Sequence, residues 1–98
     1  MPAYFVFNEQ VTDQARFDEY RKQAGPLIER YGGRFLIRGD AVTAAEGNPG
    51  LQRFGVIEFD DMAALRCFYD SAEYAPLIRL RQSASTGWVA LVEGYTPT

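Results

Sequence analysis

The chain reads as an α+β domain in which a βαββαβ order folds into a four-stranded antiparallel sheet with the helices on one face. Three observations carry that expectation. Two similar segments, Gly25-Pro26-Leu27-Ile28 and Ala75-Pro76-Leu77-Ile78, hold the same place in two longer units, each an apolar strand, an amphipathic helix and a second apolar strand. Self-similarity of this kind marks a duplicated chain. Helical periodicity alternates with short runs of aromatic and β-branched residues at 4–7, 34–38, 53–59 and 88–93. Finally, 98 residues suit one domain, spanning 1–98. The order is that of ferredoxin-like folds, in which the first and third strands are central and antiparallel.

Tyr4-Phe5-Val6-Phe7 opens as a strand, and Thr12 or Asp13 offers a short side-chain oxygen to cap the helix that follows. Phe17, Tyr20, Ala24, Leu27, Ile28 and Tyr31 then recur at steps of three and four, with charged residues between them. Gly32-Gly33 ends this helix, and Pro26 inside it predicts a kink over Lys22 to Pro26, because proline lacks a backbone donor. Arg34 to Arg38 is the second strand; Gly39 is a place for a bulge, and Val42 to Glu46 is a possible continuation. Gly47-Asn48-Pro49-Gly50 is the strongest turn signal. Arg53 to Phe59 forms the third strand, and Asp60 or Asp61 caps a short helix that turns Met62, Leu65, Phe68 and Tyr69 inward. Ser71 can cap another helix carrying Leu77 and Ile78. Trp88 to Glu93 is the last strand, and Gly94 to Thr98 a frayed tail.

The composition is ordinary for a folded domain, 47% hydrophobic and 23% charged, with a formal net charge of −3. An acidic balance repels phosphate backbones, so neither nucleic acid nor an anionic membrane is an expected partner. All but one of the 10 Lys and Arg residues are Arg, which suits bidentate carboxylate binding but also follows from codon preference. A single cysteine, Cys67, cannot form an internal disulfide, and no apolar run approaches a membrane span, so the expected location is the cytoplasm. The chain contains no histidine, which removes the usual neutral-pH proton relay and the commonest zinc and haem ligand.

One helix layer covers one side of a sheet, yet both faces of these strands are apolar. Tyr4 and Val6 oppose Phe5 and Phe7; Phe54 and Val56 oppose Ile57 and Phe59; Trp88, Ala90 and Val92 oppose Val89 and Leu91. The uncovered side would exceed the apolar patch a monomer usually exposes. Covering about 400 Å² per subunit gains on the order of 10 kcal/mol before association costs. A homodimer through the open sheet face is therefore expected.

Six ordered segments resemble a known bacterial family. They are Tyr31 to Gly39 (YGGRFLIRG), Glu46-Gly47, Val56-Ile57-Glu58-Phe59, Phe68 to Tyr74 (FYDSAEY), Arg79 to Ser85 (RLRQSAS) and Leu91 to Tyr95 (LVEGY). The family is catalogued as domain of unknown function 1330. The resemblance spans nearly the whole chain and implies the dimeric α/β-barrel superfamily, ferredoxin-like units paired sheet to sheet. It carries no catalytic residues across. Ala72 and Asp60 stand where such sequences often have proline, both at positions that start helices. Members of the wider superfamily include cofactor-free monooxygenases, lactone isomerases and haem enzymes, a kinship of fold only.

Tyr20, Tyr69, Tyr74, Arg38 and Arg79 form the leading candidate site. Tyr69 and Tyr74 flank the break between the two later helices, tyrosines can wall an aromatic ligand, and an arginine fork can hold a carboxylate or enolate. The plainer reading makes the tyrosines core residues and the arginines solvated. Glu58 interrupts an apolar strand; it is either a weak candidate for a catalytic base or the partner of Arg34 or Arg38 across the ladder. Cys67, without a base beside it, reads as inert. Arg53 to Phe59 is patterned like the third-strand motif of RNA-recognition modules, and Phe5-Val6-Phe7-Asn8 like its first-strand partner. However, the Gly expected after Arg53 and the aromatic expected after Gly55 are missing. A metal site could use only carboxylates such as Asp60, Asp61 and Glu58, and adjacent acids at a helix start more often serve the dipole, so neither metal nor other cofactor is expected. Two readings follow. One is a homodimer that binds a small aromatic or carbonyl acid between sheet and helices, with cofactor-free proton or oxygen chemistry. The alternative is a non-catalytic binding or assembly module in which the same residues pack.

Overall fold

Strands β1 (Ala3–Val11), β2 (Arg34–Gly39), β3 (Arg53–Phe59) and β4 (Ser85–Glu93) alternate with helices α1 (Gln14–Arg30), α2 (Met62–Tyr69) and α3 (Ala75–Ala84) in a computed structural model that describes residues 1–39 and 41–97. The strands form one 4-stranded antiparallel sheet in the order β2-β3-β1-β4, with β1 and β3 central. The helices lie on one face, so the fold is ferredoxin-like with its second helix split in two.

Asp13 caps α1, its carboxylate accepting the Arg16 backbone N–H at 3.1 Å. Five residues at three- and four-residue steps, Phe17, Tyr20, Ala24, Leu27 and Ile28, turn inward. The helix passes Pro26 without interruption. Pro26 and Lys22 are both exposed, so the carbonyl that proline leaves without a partner faces water. At the other end Gly32 adopts φ +88, and the Gly33 and Gly32 N–H groups donate to Ile28 and Glu29 carbonyls at 2.9 and 3.0 Å. That pair of bonds is a Schellman cap, and it needs a residue free to enter the left-handed region.

β2 departs from expectation at two points. Its bulge falls at Leu36, between the pairs Phe35–Ile57 and Ile37–Val56, rather than at Gly39. Val42 to Glu46 do not continue the strand; residues 41–50 are all exposed and belong to no element. Gly47 and Gly50 sit at φ +65 and +66, and the Asn48 side chain accepts the Gly50 N–H at 3.0 Å, a local turn that competes with strand pairing. Asn8 ties down the return leg: it accepts the Gln52 N–H at 2.8 Å and donates to the Gly50 carbonyl at 3.2 Å.

Asp61, not Asp60, caps α2 through the Ala64 N–H at 2.8 Å. Ser71 stabilises the break that follows, accepting the Tyr74 N–H at 3.1 Å and donating to the Phe68 carbonyl at 2.8 Å. β4 begins at Ser85, three residues before the stretch that its apolar pattern marks. Gly94 extends its ladder by donating to the Pro2 carbonyl at 2.7 Å. Thr98, the end of the expected frayed tail, lies outside the described residues.

Ala3, Phe5, Ile57, Phe59, Leu65, Phe68 and Tyr74 form the centre of the core, all 2% exposed or less. The Phe68 ring lies 4.3 Å from Tyr74 and 5.6 Å from Phe59. The opposite face of the sheet is apolar and uncovered: Trp88, Val92 and Ile37 are 46%, 45% and 44% exposed. No helix among the described residues is long and apolar enough to cross a membrane.

Candidate functional site

Inward alternation along β1 runs Ala3, Phe5, Phe7 and then Glu9, so strand pleat alone carries a carboxylate to the helix side of the sheet. Glu9 is 5% exposed and pairs in the ladder with Arg53 of β3. Tyr74 at the N-cap of α3 and Leu77, Arg81 and Ala84 within it share one buried stripe. Arg81 Nε lies 3.7 Å from Glu9 Oε1, and both side chains are 6% exposed. Arg81 also donates to the Tyr74 hydroxyl oxygen at 3.5 Å, and the Tyr74 and Tyr20 hydroxyls share a hydrogen bond of 2.6 Å. A connected polar chain, Glu9–Arg81–Tyr74–Tyr20, therefore crosses the core from β1 to α1.

Burial sets the electrostatics. Removal from water pushes the Glu9 carboxyl above its ordinary 4.5 and outweighs the opposing pull of Arg81 and Arg53. It likewise raises both the Tyr20 and the Tyr74 hydroxyls. For Arg81, burial opposes the charge, but Tyr74, Tyr20 and Glu9 together outweigh it and the guanidinium stays protonated.

A cavity of about 490 Å³ opens between α1 and the sheet, because α1 packs chiefly on α3 rather than on the strands beneath it. Phe5, Phe7, Phe17, Phe35, Ile28 and Ile57 supply its apolar wall. Glu9, Tyr20, Arg38 and Arg53 are among its polar groups, and exposed charged residues of α1, Asp18, Arg21, Lys22 and Glu29, border it as well. Arg38 lies over the Phe35 ring at 4.3 Å and Arg53 over the Phe17 ring at 5.1 Å. Among the described residues, neither guanidinium is in a salt bridge. Gly55 lies opposite Phe7 in the ladder, and a Cβ there would run into the Phe7 ring, so the glycine admits the ring that forms this part of the wall.

The residues singled out from sequence divide into two groups. Tyr20 and Arg38 border the cavity. Tyr74 is 0% exposed and joins Tyr20 from behind, while the half-buried Tyr69 stacks edge-on against Tyr74 at 5.8 Å. Arg79 does not join them. It is exposed, because five residues from Tyr74 is about 140° around a helix, whereas Arg81 at seven residues returns to the same side. Glu58 is on the other face of the sheet, where it accepts from Arg34 at 2.8 Å; Asp60 also pairs with that arginine at 3.3 Å. It thus takes the ladder partner rather than the cavity. Cys67 is exposed. Glu9, Arg53 and Arg81 escaped the sequence reading, although strand parity and the helical stripe both point to them.

Sheet, helix layer and cavity together define a ferredoxin-like α+β unit. The chain belongs to the family described as domain of unknown function (DUF1330), which matches residues 2–95. Solved structures of similar fold include a protein of unknown function from Rhodopseudomonas palustris, at TM-score 0.78 and 16% identity, covering 98% of this chain and 84% of that one. Another is SnoaB, a cofactor-independent oxygenase from Streptomyces nogalater, at TM-score 0.65 and 16% identity, covering 98% and 95%. A third is a protein of the ethyl tert-butyl ether d (ethd) family from Bacillus halodurans, at TM-score 0.58 and 16% identity, covering 97% and 99%. At such identities the likeness is one of fold. No curated protein matches the chain.

Proposed function

We propose that this protein is a cytoplasmic homodimer whose sheet–helix cavity binds a small aromatic or carbonyl acid. The observation that carries the reading is the pairing of aromatic walls with two arginines, Arg38 and Arg53, that stack on those walls and are in no salt bridge among the described residues. A ring fits against Phe7, Phe17 and Phe35, and an acid group suits the guanidinium forks. About 490 Å³ suits a ligand of one or two rings. The fold of a cofactor-independent oxygenase lends support to turnover without a bound cofactor.

A thermal-shift series tests it. Phenylpyruvate at about 100 times its dissociation constant adds ~2.7 kcal/mol, roughly 10 °C or more for a domain of this size. The shift is expected to vanish when Arg38 and Arg53 are both replaced by alanine. No shift with phenylpyruvate, indolepyruvate or their aryl-acid analogues would sink the reading. One observation favours a non-catalytic module instead: Tyr74 and Phe68 pack without any exposure, and Arg79 is exposed. That alternative predicts no ligand-dependent shift at all.

A further inference from the structure

We propose that Glu9 is the general base of this cavity and that the protein catalyses keto–enol tautomerisation of an aromatic 2-keto acid. The inference rests on the binding reading above and goes beyond it in assigning a reaction and the group that performs it. Glu9 is the only carboxylate among the described residues that is buried and also borders the cavity. Arg38 is exposed and Arg53 half-buried, so a carboxylate held between them leaves the rest of the ligand directed inward, toward Phe5, Tyr20 and Glu9. The carbon next to the keto group then comes to the dry end, where Glu9 is held by strand pleat on one side and by Arg81 on the other.

The step balances without a co-reactant. A C–H bond at that carbon breaks, its electron pair moves into the carbon–carbon π bond, and the carbonyl π pair becomes an enolate oxygen lone pair. The proton forms an O–H bond on Glu9. Returning it to the enolate oxygen gives the enol and restores the carboxylate, so nothing is oxidised or reduced. The charged and titratable groups facing Glu9 come from three elements: Arg53 from β3, Arg81 and Tyr74 from the α3 side, and Tyr20 from α1. Two are cations that stabilise carboxylate and enolate alike, and the tyrosines are neutral donors at any working pH. Burial, which raises the proton affinity of Glu9, brings it closer to that of a useful base. A ligand carboxylate at Arg53 withdraws one of the cations opposing that rise.

The test is deuterium incorporation into phenylpyruvate in D2O, followed by proton NMR as the rate above buffer alone. Binding is monitored by thermal shift on the same samples. Wild type is expected to exchange well above buffer, with a rate that climbs as one group ionises above the ordinary glutamate range and then levels. Glu9→Gln, nearly isosteric, is expected to bind phenylpyruvate but to lose about a hundred-fold in exchange. Glu9→Asp keeps the charge one methylene further away and is expected to fall between the two, which covers the case of a poorly folded glutamine variant. Binding without exchange above buffer in wild type would overturn the assignment, as would exchange retained in both Glu9 variants or lost instead in Glu58→Gln. Absence of binding in wild type would defeat the ligand reading itself.

Discussion

Glu9 and Arg81 are enclosed together, and burial opposes the charge of both: it prevails at the acid, while the neighbouring oxygens outweigh it at the guanidinium. This has a measurable signature in stability. Glu9 has a folded-state pKa above its unfolded value of 4.5, so its contribution is fully present below that pH. It is lost as pH rises through the folded pKa, because the native state binds the proton more tightly there. Each tenfold difference in proton affinity is worth ~1.4 kcal/mol. Wild type is therefore expected to lose stability relative to Glu9→Gln as pH rises from 4.5 toward neutrality, then to run parallel to it; a difference curve that rises instead would refute the burial argument. Urea melts of both proteins across that range read this directly. The same pair shows which part of the site was legible in advance. Tyrosines and arginines stand out by type, so Tyr20 and Arg38 were found. Glu9 and Arg81 are ordinary charged residues whose burial shows only when pleat and helix turn are counted from a known core residue.

Each element was legible where its chemistry is local. The Asp13 cap, the Gly32 end of α1 and the break at Ser71 are all short-range hydrogen-bonding devices written in adjacent residues. The bulge at Leu36 was not legible, since it depends on how β2 meets β3, and pairing register is a property of two segments at once. The same holds for the Phe7–Gly55 contact, in which a central strand omits a side chain so that its neighbour's ring can lie across it. Replacing Gly55 by alanine would push that ring toward the cavity. Overpacking of this kind costs about 1–3 kcal/mol, and the variant is expected to melt lower and to lose the thermal shift with phenylpyruvate. Ligand-induced shifts equal to those of wild type would show that Phe7 does not form the wall as described.

Viewed whole, the molecule is a slab, with extents of 42 × 40 × 16 Å and a radius of gyration of 13.8 Å. A compact chain of this length would have about 12.6 Å. Flatness leaves one broad side of the sheet bare, with Val56 near its middle between Val6 of β1 and Ile37 of β2. Sheet-to-sheet pairing would bury that side. Light scattering is expected to give twice the 11.0 kDa chain mass at micromolar concentration, and Val56→Asp, which places a charge in the dry centre of the pair, is expected to give 11.0 kDa. An 11.0 kDa particle for the wild type would end the dimer proposal.

The single extra residue at Leu36 reaches further than its effect on one edge strand. Ahead of it Arg34 and Phe35 pair with Glu58 and Ile57; after it Ile37 meets Val56 and Arg38 meets Gly55. Were the same residues paired without the bulge, the parity would invert: Ile37 would stand over Gly55, and Arg38 would meet Phe54 on the face that carries Glu58. The place of Arg38 at the cavity thus depends on pairing register as well as on residue type. Deleting Leu36 would restore a regular ladder with Ile37 still over Val56 and Arg38 still over Gly55, so the guanidinium would keep its side of the sheet. A slip of pairing register by one residue, with no change of sequence at all, would instead turn that guanidinium to the opposite face.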